Sequence, residues 1–178
     1  MNPKLFDAIN KTNTHLAGEF GLPENYPQPE YSDNLLFYIQ RNHNRNTVVY
    51  EVNRTADGLI NEEFPINVFW IRYDDAGEVK NLNYIQNKLA YGYDFKKINN
   101  HCYEFQLVSY RKLTFYFGRC DVTSDYRCFT HIGGQLSQIT NIYVYVEDLG
   151  LFPDVKFIEL YGNGIDSDDK VYEKLIIK

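Results

Sequence analysis

The sequence predicts a mainly β protein: an antiparallel meander of about eight to nine strands, closed as a barrel or folded as a sandwich, with one or two short peripheral helices. Three observations carry this. The chain holds 16 Tyr, 12 Phe and one Trp, 16% of its residues, mostly in short runs with β-branched neighbours, the composition of strands. Several of these runs alternate apolar and polar residues, the period that puts one face of a strand on a core. Short stretches rich in Asn, Asp and Gly separate the runs, as turns require. With 178 residues, 44% apolar and 24% charged, the chain is long enough to hide roughly 70% of its unfolded surface in one domain.

The first 34 residues stand apart. Leu5, Ile9, Leu16 and Phe20 recur at helical spacing, so one or two helical turns are expected, opened by Asn2-Pro3 and closed before Gly21. Pro23, Pro27 and Pro29 then make residues 21–34 an extended connector. Residues 35–178 form the single β domain. Its first hairpin is expected from Leu35–Arg41 and Thr47–Val52 around an asparagine-rich turn, Asn42 to Asn46, with Tyr38 opposite Tyr50. Both faces of the first strand are apolar, so it is covered on both sides. Ile66–Tyr73 repeats that pattern, and Asp74-Asp75-Ala76-Gly77 ends it as a turn.

Leu82, Ile85 and Leu89 recur at helical spacing, with Asn81 as N-cap and Gly92 as the left-handed residue at the C-terminal end. Residues 82–91 therefore read as a short amphipathic helix whose apolar stripe lies on the sheet. Residues 103–119 show the cleanest alternation, with Tyr103, Phe105, Leu107, Leu113, Phe115 and Phe117 all at odd positions. They share one face. Pairing Phe105 with Phe117 and Leu107 with Phe115 leaves Tyr110-Arg111-Lys112 as the connection. Further strands are expected at 127–131, 138–147, 155–161 and 171–177.

Composition narrows the function. A net charge of −6 opposes the counterion release on which nucleic-acid binding depends, so no nucleic-acid partner is expected. Apolar stretches such as Ile142–Val146 are about five residues, against roughly twenty for a membrane helix, so no membrane partner is expected either. The start of the chain lacks the charged flank and apolar core of a secretory signal, and the odd cysteine count leaves at least one thiol unpaired. Both point to the cytoplasm. Cys120, Cys128 and His131 match no standard zinc spacing, and Asp166-Ser167-Asp168-Asp169 lacks the glycine and distal glutamate of a calcium loop. No metal or cofactor is expected. Nucleophile elbows, phosphate loops and dinucleotide fingerprints are absent.

Several segments resemble a known family. Leu36-Phe37-Tyr38-Ile39-Gln40-Arg41-Asn42, Asn46 to Glu51, Phe69-Trp70-Ile71-Arg72-Tyr73, Leu82-Asn83-Tyr84-Ile85-Gln86 with Ala90-Tyr91-Gly92, and Phe157-Ile158-Glu159-Leu160-Tyr161-Gly162 look like the bacterial domain of unknown function 4833. The likeness runs from about residue 35 to 178. It implies a domain boundary and a bacterial source, and assigns no catalytic residue.

The residues that stand out chemically are Arg41, Tyr50, Glu51, Trp70 and Arg72. Charges at the ends of apolar strands must reach solvent or find partners, so Glu51 locking two arginines is one reading. The other is an anion pocket in which an arginine fork grips a carboxylate or phosphate and Trp70 stacks on the ligand. The expected function is a non-enzymatic binding domain for a small anionic or aromatic ligand or a peptide, in a cleft lined by tyrosines. A hydrolase with an unrecognised site and an interaction protein that pairs through an exposed strand edge are the alternatives.

Overall fold

The computed structural model describes residues 26–119, 125–147, 153–165, 167 and 169–177. The expected helical turns within residues 2–20, Cys120, and two aspartates of the 166–169 loop lie outside them. Eleven strands among the described residues form one curled mixed sheet, a half-barrel. The chain is mainly β, as its aromatic and β-branched runs demand.

β1 (Leu35–Arg41) and β2 (Asn44–Val52) form the first hairpin. The turn is the two residues Asn42 and His43, shorter than expected, because Arg41 already faces Asn44. Shifts at both ends of this pairing then place Phe37, not Tyr38, opposite Tyr50. Every residue from Leu36 to Gln40 is buried, as the two-faced pattern requires. β3 (Ile66–Arg72) continues the meander. A single 3-10 turn (Tyr73–Asp75) then leads to β4 (Glu78–Asn81), a short, wholly exposed edge strand that pairs with Phe69 to Arg72 only.

The helix differs from expectation in three ways. Its cap is Asn83, not Asn81: the Gln86 amide donates to the Asn83 side chain while the Asn83 amide donates to Gln86 Oε1, a reciprocal capping box. α1 makes one α turn (Tyr84–Gln86) and then a wider π turn (Asn87–Tyr91), and Gly92 follows in extended backbone rather than left-handed. The apolar stripe points outward. Tyr84, Ile85 and Leu89 are 74%, 66% and 66% exposed, and the contacts with the core come from Leu82 and Tyr91 at the two ends.

β5 (Tyr93–Asn99), β6 (Cys102–Leu107), β7 (Tyr110–Arg119) and β8 (Tyr126–Ile132) form a second meander. Phe105 pairs with Phe115 and Tyr103 with Phe117, with Val108-Ser109 as the turn, because a bulge between Phe105 and Leu107 resets the register. The odd-position set still shares one buried face: Phe105 and Phe117 rings meet edge to face at 5.9 Å.

β9 (Gln135–Val146) joins the two meanders. Its first residues pair antiparallel with β8 and its later ones pair parallel with β1, while β10 (Val155–Gly164) runs along its other edge and β11 (Lys170–Ile176) pairs with β10. The parallel β1–β9 pairing breaks the all-antiparallel expectation. The Asn42 side chain fixes it: its amide donates to the Val146 carbonyl and its oxygen accepts from the Val146 N–H, both at 2.9 Å. The meanders curl toward each other over one aromatic interior, where Phe37 stacks on Tyr50 at 4.4 Å and on Phe115 at 5.4 Å.

Candidate functional site

Curling brings β3 and β5 face to face without joining them. β4 covers only the C-terminal half of β3, and β5 pairs only with β6, so Ile66 to Val68 and Tyr93 to Phe95 flank an open seam. One side chain spans it. The Tyr93 hydroxyl accepts from the Ile66 N–H at 3.0 Å and donates to the Ile66 carbonyl at 2.7 Å, satisfying with one atom both groups that a neighbouring strand would satisfy with two. Burial pushes the Tyr93 phenol up to about 12, which keeps its proton in place. Lower on the seam, Lys97 Nζ meets Glu62 Oε1 at 2.6 Å.

Beside this bridge lies a cleft of about 450 Å3. Phe64, Ile66, Val68, Leu82, Tyr93 and Phe95 form its apolar wall, and Asn53, Asn67, Asn81 and Asn87 supply amides around it, with Glu63 as the one charged group. Phe64 is 59% exposed, more than a large aromatic normally spends on solvent. Its size falls in the range of ligand clefts, and its lining is about as polar as it is apolar.

The five residues singled out from the sequence do not form one site. Arg41, Tyr50 and Trp70 gather around Tyr91. The Arg41 guanidinium lies 5.5 Å from the Trp70 ring centre, Trp70 meets Tyr91 edge to face at 5.1 Å, and the Tyr50 hydroxyl donates to the Tyr91 carbonyl at 2.7 Å. Burial raises the Tyr91 phenol, with the Arg41 charge opposing the shift; Tyr50, fully enclosed, is raised further. Glu51 points to the opposite face of β2, where the Ser32 hydroxyl donates to it at 3.2 Å. Arg72 shares the face of Trp70 but is held by Asp75 and Glu78. The expected lock of Glu51 on two arginines is therefore corrected: strand alternation separates them.

The sequence did not gather these residues into a cleft. Phe64 stands in no alternating run, and the alternation of Tyr93 and Phe95 with Asp94 and Lys96 was the available sign of β5. No three His, Cys, Asp or Glu among the described residues stand close enough to hold a metal ion. Cys102 and Cys128 are buried and unpaired, and burial raises both thiols, Cys102 to about 11.

The family model for a domain of unknown function, DUF4833, matches residues 37–174. The chain belongs to that family. The matched span opens within β1 and closes within β11, so both meanders, α1 and the seam of this DUF4833 member fall inside it. No curated protein and no solved structure matches the chain.

Proposed function

We propose that the protein is a binding module without catalytic machinery, and that the seam between β3 and β5 receives an extended peptide segment. The observation that carries this reading is the coincidence of a cleft of about 450 Å3, lined by both apolar and amide side chains, with two strand edges that lack a strand neighbour at the same place. An extended chain laid there finds main-chain partners on the edges beyond Ile66, whose own groups Tyr93 holds, and pockets between Phe64, Phe95 and Leu82 for alternate side chains, the mode of strand addition. Asn67 and Asn87 offer amides for its ends, and Glu63 favours a segment carrying a basic residue.

Among the described residues the carboxyl groups whose pKa departs from the ordinary range, Asp57 and Asp74, are both lowered, by the Thr55 hydroxyl and by Arg45; a general acid needs the reverse. In the same reading the protein works in a reducing bacterial cytoplasm without nucleic-acid or membrane partners. The free cysteines and the net charge of −6 support this.

Selection of a displayed peptide library against the full chain tests the reading, with the Phe64→Glu/Phe95→Glu variant as counter-selection. Enriched peptides are expected to alternate apolar and polar residues and to bind the variant about tenfold or more weakly. Failure to enrich any sequence, or equal binding to both proteins, overturns it.

A further inference from the structure

Two residues along β3 from the cleft, on the same face, the structure holds donors that nothing accepts from. Trp70 is 7% exposed, yet its indole Nε1 has no hydrogen-bond partner, and the buried Nε of Arg41 has none either. These two side chains touch through the guanidinium and the indole ring. Leaving a buried N–H unpaired is costly, so such groups are normally satisfied. Arg41 also differs from its neighbours in charge balance. Arg45 pairs with Asp74, and Arg72 with Asp75 and Glu78, whereas no carboxylate among the described residues lies within ion-pair distance of Arg41. A half-buried guanidinium that lies against the Trp70 ring, with no ion-pair partner among the described residues, is a cation awaiting an anion.

We propose that Arg41 and Trp70 form a carboxylate-binding site distinct from the seam. The guanidinium fork matches a planar carboxylate, and the unpartnered Arg41 Nε and Trp70 Nε1 are the donors that a bound carboxylate would satisfy. Tyr91 forms one wall of the site, seated by the Tyr50 hydroxyl on its carbonyl. Arg72, on the same face, adds no free charge, since its own two carboxylates occupy it. The ligand class is a small organic acid or the carboxylate at the end of a chain, and the geometry favours one with a flat apolar body, which Trp70 and Tyr91 accommodate edge-on or by stacking.

The protein reports on this site itself, because Trp70 is its one tryptophan. Intrinsic fluorescence is titrated at constant ionic strength with acetate, benzoate, phosphate and a C-terminally free dipeptide, the last compared with its amide. A saturable change with the carboxylates is expected, stronger for benzoate than for acetate, and weakened about tenfold or more in Arg41→Met. Benzoate against the dipeptide separates a free acid from a chain terminus. In parallel, the indole N–H proton of the unmodified protein, followed by NMR, is expected to shift downfield with saturating benzoate; this readout needs no variant to fold. No saturable response, a response undiminished in a folded Arg41→Met, a preference for phosphate, or an indole proton that does not move overturns the proposal. Because Arg41 and Trp70 lie outside the seam, loss of peptide binding in the Phe64→Glu/Phe95→Glu variant leaves this response intact.

Discussion

Tyr93 shows how much one hydroxyl carries. Its two hydrogen bonds close the backbone of Ile66 where no strand is present, so Tyr93→Phe leaves a buried N–H and a buried carbonyl unsatisfied. We expect a loss of about 1–3 kcal/mol in urea unfolding, with faster amide exchange at Ile66 than at Val48. The phenols also set a pH limit. Tyr38, Tyr93 and Tyr143 are pushed up to about 12 by burial, from an ordinary 10.0, with Tyr26 and Glu159 adding to the shift at Tyr143. A raised folded value means the unfolded chain gives up its protons first as pH rises. Stability from these groups is complete below about pH 10 and lost as pH climbs through about 12. Urea midpoints measured across that window, with tyrosinate absorbance, are expected to fall together; midpoints that stay flat contradict it.

Among the elements, the strands with bulky apolar runs were legible and the quiet ones were not. β4 offers a single apolar residue, Val79, and β5 is interrupted by Asp94, Lys96 and Lys97; neither carries enough period-2 signal to stand out. Register was legible in its face and not in its offset. The odd-position rule kept Phe105 and Phe117 together, but the bulges beside Leu107 and Leu35 insert single residues that composition does not mark. The helix was legible in place and not in orientation, since an apolar stripe says what it avoids and not what it meets. Ile85→Ser and Leu89→Ser are accordingly expected to change stability by no more than about 0.5 kcal/mol, against about 2–5 kcal/mol for Leu160→Ala in the core. Gly162 marks the opposite case: a Cβ there meets the Gln138 carbonyl and lies 2.8 Å from the Ile132 Cδ1, beside the β9–β10 bulge. Gly162→Ala is expected to cost about 1–3 kcal/mol, read as a lower thermal midpoint.

At the scale of the molecule, one interior ties both meanders together: Phe37 of the first stacks on Phe115 of the second. Unfolding is expected to be a single cooperative step, coincident by tyrosine absorbance and Trp70 fluorescence; two separated transitions mean that the meanders hold independent cores. Of the candidate site, Arg41, Tyr50 and Trp70 were visible as unusual residues on apolar strands, whereas the seam was invisible because it exists only where the curled sheet fails to close. The parallel pairing of β1 with β9 has a consequence for synthesis. Asn42 and the Val146 backbone that it clasps are 104 residues apart, so the edge of β1 that β9 pairs stays open, for seconds at ordinary elongation rates, until the chain has been made as far as Val146.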